Sequence, residues 1–321
     1  MRRCVLSFDL GGTNVRCAVV DDEGRILARA RTTTGERPGP EEVVRKMGQI
    51  SREAIGQSGV GRSAIPCAGI GSPGPLNSRS GIIFETPNLG WTNVPLAKML
   101  AEELKLPAFL ENDAVAACWG EYWKGAGQGV KSMFILTLGT GVGGGLILDG
   151  KVWRGPDDTA GHLGHMVVDP DGPIQNLDNP GSVEALCSAT ACVRDARAAA
   201  RAHPESLLAK VPPEQITALY VNQCADRGDF CAQEIYRRIG CHLGIACASL
   251  ANALNPELGV IAGGMAAAGD RIMGPLRKEC SRRALQVPGR RLKVVFAQLG
   301  DDAGTIGAAG LALERLKEQA A

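Results

Sequence analysis

Along the chain, short apolar runs bounded by turn residues alternate with longer segments in which apolar positions recur at helical spacing. The runs at 4–9, 15–20, 25–32, 65–71, 108–110, 133–138, 146–148, 258–262 and 292–297 predict strands. Helical spacing predicts helices over 41–57, from Pro95 to about 104, and over 114–123, 183–203, 216–223, 230–254, 272–285 and 305–318. The 230–254 segment is apolar on most faces, which predicts burial between layers. A stretch rich in Asp, Gly and Pro, 155–181, predicts irregular backbone. Strands and helices alternating in this way define an α/β protein.

The pattern is organised around 138–149, L-G-T-G-V-G-G-G-L-I-L-D, which reads as strand, glycine turn and strand, closed by the Asp149-Gly150 turn. Gly139, Gly141, Gly143, Gly144 and Gly145 allow positive φ and close approach of a ligand to the backbone. Converging N–H groups in such a turn bind anions. Taken alone, five glycines fit a tight hairpin with no ligand equally well. A second copy changes that balance. Shifted by 128 positions, residues 10–21 lie on 138–149 without a gap: Leu10 meets Leu138, Gly11 meets Gly139 and Asp21 meets Asp149. A repeat at about half the chain length predicts two similar lobes, each with a phosphate-binding hairpin, a pair suited to a nucleoside triphosphate. In open α/β sheets ligands lie beyond the carboxyl ends of strands. Asp9, Asn112-Asp113, Gly139-Thr140 and Gly263-Gly264 all fall at such ends.

A net charge of +1 gives no electrostatic basis for binding nucleic acid or an anionic membrane. No apolar run reaches the length of a membrane-spanning helix, and the first residues turn polar too soon for a signal peptide, so a cytoplasmic location is expected. The eleven cysteines are scattered, with no C-x-x-C pair, and read as buried small hydrophobes in a reducing compartment.

Six segments in order carry a family resemblance: D-L-G-G-T-N at 9–14, P-N-L-G-W at 87–91, E-N-D at 111–113, L-G-T-G-V-G-G-G at 138–145, A-G-H-L-G-H-M at 160–166 and N-P-E-L-G-V-I-A-G-G at 255–264. Together they resemble the ROK family of sugar kinases, within the actin-like ATPase superfamily. The resemblance implies a duplicated, two-lobed actin-like ATPase (ribonuclease H-like) fold with the active site in the interlobe cleft. It suggests a small lobe, residues 1–111 plus 305–321, and a large lobe, 112–304. It also implies ATP-dependent phosphorylation of a hexose at the 6-hydroxyl. The 74–96 segment looks most like bacterial glucokinases, so glucose is the leading substrate, in glycolysis, for a homodimer or homotetramer. By this resemblance Asp113 is the general base, with an N-cap as its alternative role. Asn88, Asn112, His162, His165 and Glu184 contact the sugar with it. Asp9 orients Mg²⁺, directly or through water. Gly11, Gly12, Thr13, Asn14, Gly139, Thr140 and Gly141 cradle phosphates, and Gly263, Gly264 and Gly304 approach the nucleotide on its adenosine side.

Two departures stand out. The family's G-E-x-G-H carries His162 in place of the glutamate that contacts the sugar. The family's C-x-C-G-x-x-G-C-x-E, whose three cysteines bind a structural zinc with a histidine, here has Gln175, Leu177 and Ser182 at the cysteine positions. Only His165 of the four ligands remains, so no zinc site is expected. The alternatives are a kinase for fructose, mannose, N-acetylmannosamine or N-acetylglucosamine, a sugar-responsive repressor, and a non-catalytic sugar sensor. The repressor reading is disfavoured because Asp9 leaves no room for a helix-turn-helix domain before the phosphate loop. The sensor reading is disfavoured because Asp9, Asp113 and both glycine hairpins are kept.

Overall fold

The computed structural model describes residues 3–86, 88–175 and 179–320. They form two compact units: Met1–Lys131 with Gly145–Gly161 and Gln298–Ala321, and Ser132–Gly144 with His162–Ala297.

The chain enters the first unit along β1 (Cys4–Leu10), returns through β2 (Asn14–Asp21) and turns again into β3 (Ile26–Thr33). β1 is buried at every position but the half-buried Asp9, because both faces are covered. Alternation sends Leu6 and Phe8 to a core shared with Val43, Met47 and Ile50 of α1 (Pro40–Ser58). Val5, Ala18 and Val20 face a second core with Ala309, Ala312 and Leu313. β4 (Cys67–Ser72) joins parallel to β1, and then a small antiparallel sheet forms from β5 (Leu76–Asn77), β6 (Ile82–Thr86) and β7 (Trp91–Val94). α2 (Leu96–Leu104) follows, with Pro95 at its N-cap rather than in its first turn. β8 (Ala108–Asn112) completes the sheet order β3-β2-β1-β4-β8 and runs directly into α3 (Asp113–Lys124).

β9 (Met133–Leu138) opens the second unit. β10 (Val142–Leu148) restarts at Val142, so Gly143, Gly144 and Gly145 are strand residues and the turn itself is short. Asp149 and Gly150, with φ of 49° and 75°, lead to β11 (Lys151–Val152), a strand the apolar pattern does not reveal. The segment predicted as one helix over 183–203 is two, α4 (Val183–Cys187) and α5 (Ala189–Ala202). The break has a local cause: Ser188 is extended and its hydroxyl caps α5 by accepting from the Ala191 N–H. α6 (Ala218–Asp226) precedes α7 (Phe230–Leu254), which is buried on one face, through Ile239, Leu243 and Cys247, and exposed on the other at Gln233, Arg237 and Ser249, so it does not lie fully between layers as its apolar pattern predicts. Its Gly244 lets α8 (Asp270–Arg283) approach: a Cβ there would lie 2.6 Å from the Leu276 carbonyl. β12 (Leu258–Ala262) is parallel to β9 and to β13 (Lys293–Phe296). The expected 272–285 helix ends at Arg283, and α9 (Gln286–Arg291) is separate.

α10 (Ala303–Ala320) belongs to the first unit and packs on α3. Side chains are trimmed at that contact: a Cβ on Gly120 or Gly307 would collide with the carbonyl of Ala303 or Ala116. Glu121 of α3 is fully buried. Its carboxylate accepts from the N–H groups of Ala126 (2.8 Å), Gln298 (3.0 Å) and Leu299 (2.7 Å), tying the approach to α10 onto the helix that begins with Asp113.

Candidate active site

In the first unit, the turn after β1 is closed by the Gly11 N–H donating to the Asn14 carbonyl at 2.9 Å and is braced by Thr34. The Thr34 hydroxyl donates to the Gly11 carbonyl at 3.0 Å and its N–H to the Thr13 carbonyl at 2.8 Å. Neither Gly11 nor Gly12 has positive φ, so close approach is what the site asks of them: a Cβ on Gly12 would stand 3.1 Å from the Asn88 Cβ. The structure therefore sets Asn88 against the Gly11-Gly12 turn.

Asp9 is half-buried at the end of β1. Hairpin register puts Arg16 directly opposite, with its guanidinium 3.9 Å from the Asp9 carboxylate. Burial raises the Asp9 pKa, Arg16 lowers it and the charge of Asp301 raises it, with a net upward shift. Arg16 was missed from the sequence, although strand alternation from Asp9 through the turn could have found it.

Asn112, not Asp113, caps α3: its Oδ1 accepts from the N–H groups of Ala114 (3.0 Å) and Val115 (3.2 Å). Asp113 is the first helical residue, and its Oδ1 accepts from the Ala114 N–H at 2.8 Å. Asp113 is exposed, yet protein is dense around it. That desolvation, reinforced by the Asp9 charge, pushes its pKa up to about 6 against the pull of the Ala114 bond. Gly304 also lies in this unit, where a Cβ would be 3.9 Å from the Asp113 carbonyl. Behind Asn112, the buried Glu111 carboxylate accepts the Asn112 N–H at 3.0 Å and pairs with Arg154 at 2.5 Å.

In the second unit, the Gly139 N–H donates to the Gly141 carbonyl at 2.9 Å, so this turn closes one residue shorter than its counterpart. Gly139 and Gly141 likewise lack positive φ. A Cβ on Gly141 would collide with the Glu184 carboxylate, which accepts the Val142 N–H at 2.9 Å. Gly263 does take positive φ, 88°, and any side chain there would strike the Leu138 backbone. Gly264 starts a short 3₁₀ turn and lines a cavity of about 290 Å³ with Gly139, Thr140, Leu219, Asn222 and Met265. The Oδ1 of Asn222 is buried there with no hydrogen-bond partner among the described residues. A mostly apolar cavity with the Gly139-Thr140 turn at its wall and a spare amide oxygen has the chemistry to take a nucleoside. Nothing in the apolar pattern marks Asn222.

His162 and His165 flank a single 3₁₀ turn, with ring centroids 6.3 Å apart. Burial, then the neighbouring His165, lowers the His162 pKa. The loop that follows is held by side chains. The Asn179 amide donates to the His165 carbonyl at 2.9 Å, Gln175 bonds Ser188 at 3.1 Å and the Ser182 hydroxyl caps α4. Leu177 lies outside the described residues. Among the described residues no three His, Cys, Asp or Glu side chains cluster to hold a metal. His165, Gln175 and Ser182 do not make a zinc ligand set, since a closed site needs four nitrogen or sulfur donors.

Two α/β units, each with a glycine hairpin beside its sheet, define an actin-like ATPase fold. The family model described as the ROK family matches residues 5–315. A glucokinase of Thermotoga maritima is 38% identical over 97% of this chain and 98% of its own length. A glucokinase of Halalkalibacterium halodurans is 36% identical over 95% of this chain and 93% of its own length. Among solved structures, a ROK family glucokinase from Streptomyces griseus in complex with glucose and AMPPNP is 34% identical, with a TM-score of 0.81 over 97% of this chain and 99% of that one. The chain belongs to the ROK family.

Proposed function

We propose that this chain is an ATP-dependent glucokinase that phosphorylates the 6-hydroxyl of glucose. The observation that carries the reading is the pair of carboxylates beside the first phosphate turn: Asp9, and Asp113 with its pKa of about 6. A base poised near neutral pH suits proton removal from a sugar hydroxyl. The glucokinase relatives and the glucose and AMPPNP complex support it.

In this reading Asp113 takes the proton of the 6-hydroxyl. The oxygen attacks the γ-phosphorus, the bond to the bridging oxygen breaks, and ADP leaves. Arg16 and the N–H groups of Gly12 and Thr13 balance charge on the transferring group. Gly139, Thr140 and Gly141 hold the remaining phosphates, and the cavity beside Gly264 takes the nucleoside. Asp9, a single carboxylate beside the first phosphate turn, would help to hold Mg²⁺ together with the ATP phosphates, and the ion would neutralise phosphate charge. Asn88, His162, His165, Glu184 and the Asn112 amide orient the sugar. The cysteines described here are free thiols, mostly buried, which suits a reducing cytoplasm. A homodimer or homotetramer is the expected assembly. The His162 substitution keeps a second reading open, a kinase preferring another hexose.

An ADP-release assay over glucose, fructose, mannose, N-acetylmannosamine and N-acetylglucosamine tests both. Glucose should give the highest kcat/KM, and no ADP with any of them would end the kinase reading. His162→Glu adds a charged acceptor and should change the ranking of sugars by about tenfold, the size of one charge-assisted hydrogen bond. An unchanged ranking would assign His162 to structure alone.

Protein purified without added metal should carry no stoichiometric zinc by elemental analysis, and its activity should survive chelation followed by return of Mg²⁺. One zinc per chain, with unfolding on its removal, would show that the loop is metal-bound after all.

A further inference from the structure

We infer that Glu184 is a positioning residue for ATP as well as a sugar contact, and that it links occupancy of the sugar site to nucleotide affinity. The inference deepens the kinase reading and rests on it.

The second phosphate turn is built from Gly139, Thr140 and Gly141 and has little stiffness of its own, since glycine holds no preferred conformation. Three tethers from α4 and α5 hold it. The Ala189 N–H donates to the Gly139 carbonyl at 2.8 Å, and the Thr190 hydroxyl donates to the Thr140 carbonyl at 2.8 Å. The Glu184 carboxylate accepts the Val142 N–H at 2.9 Å. Val142 is buried, so without that acceptor its N–H would be a donor cut off from water. Gly141 is needed at the same point, because any Cβ would occupy the space of the carboxylate. The tethers continue toward the sugar side. Ser188, between α4 and α5, bonds Gln175, and Asn179 of the same loop bonds the carbonyl of His165.

In the proposed kinase one carboxylate thus serves two ligands: it accepts the Val142 N–H beside the Gly139–Gly141 turn and, as a sugar contact, it accepts a sugar hydroxyl. A sugar hydroxyl donating to Glu184 fixes its rotamer and with it the Val142 N–H. The ordering done by the first ligand need not be repeated by the second, so each raises affinity for the other by the same factor.

Calorimetric titration of AMPPNP, with and without glucose, reads this directly. Glucose should tighten AMPPNP binding to the wild-type chain by about fivefold or more. Glu184→Ala should weaken AMPPNP binding without sugar by about five- to tenfold and abolish the effect of glucose. Glu184→Gln, whose amide oxygen still accepts the Val142 N–H, should restore AMPPNP binding to within about twofold while glucose binding stays weak. Thr190→Val removes a tether far milder for folding; it should weaken AMPPNP about two- to fivefold and leave glucose binding without nucleotide unchanged. Unaltered AMPPNP affinity in Glu184→Ala, or equal loss in Glu184→Ala and Glu184→Gln, would overturn the inference while leaving a kinase. Failure of AMPPNP to bind the wild-type chain would remove the kinase reading and the inference together.

Discussion

Asp113→Asn should lower kcat by about 10²–10⁴ while changing the KM for glucose only a few-fold. The amide keeps the size of the side chain and its Oδ1 still accepts the Ala114 N–H, so the start of α3 is preserved. Asn112 also keeps its cap, which makes a folding explanation of the loss untenable. What is lost is the proton acceptor. The pKa of about 6 adds a signature. The base works only when deprotonated, so wild-type kcat/KM should rise tenfold per pH unit below about 6 and level off above it. Asp113→Asn should lack that acid limb. Near-normal turnover in the variant, or an acid limb identical in both proteins, would demote Asp113 to a helix-start residue.

The second large effect concerns stability. Glu121→Ala should lower the unfolding free energy by about 3–5 kcal/mol, measured as a shift of the urea midpoint. The carboxylate is fully buried and satisfies three backbone donors from two separate segments. Removing it leaves the N–H groups of Ala126, Gln298 and Leu299 without an acceptor and opens a void beside α10. Glu121→Gln keeps one acceptor oxygen but points an NH₂ at N–H groups, so about 1–3 kcal/mol is expected. Because Gln298 and Leu299 lead to Asp301, whose charge acts on Asp9, the surviving folded protein should also turn over more slowly. A loss below about 1 kcal/mol in Glu121→Ala would mean that water replaces the carboxylate.

Much of the fold was legible because its signals are local. The 230–254 helix and the 258–262 strand coincide with α7 and β12, since a long apolar helix ending in Asn255 and a five-residue apolar strand leave few alternatives. The helix expected over 183–203 was misread where a single serine both ends α4 and caps α5. A period count does not register one capping residue. The glycine hairpins fall where the pattern puts them, but Gly11, Gly12, Gly139 and Gly141 do not take positive φ; Gly12 and Gly141 instead leave room for Asn88 and Glu184.

The chain by itself determined most of its strands and helices, its duplicated hairpins, and the placing of Asp9 and Asp113 at strand ends. These follow from alternation, spacing and turn chemistry, which act between near neighbours. Only the tertiary structure decided that Glu121 meets Gln298, 177 residues away, that Glu184 meets Val142, 42 residues away, and that Asp113 holds its proton to about pH 6. Burial and hydrogen bonding at these sites depend on which distant segments the packed cores bring against them. A single sequence carries no local mark of that choice.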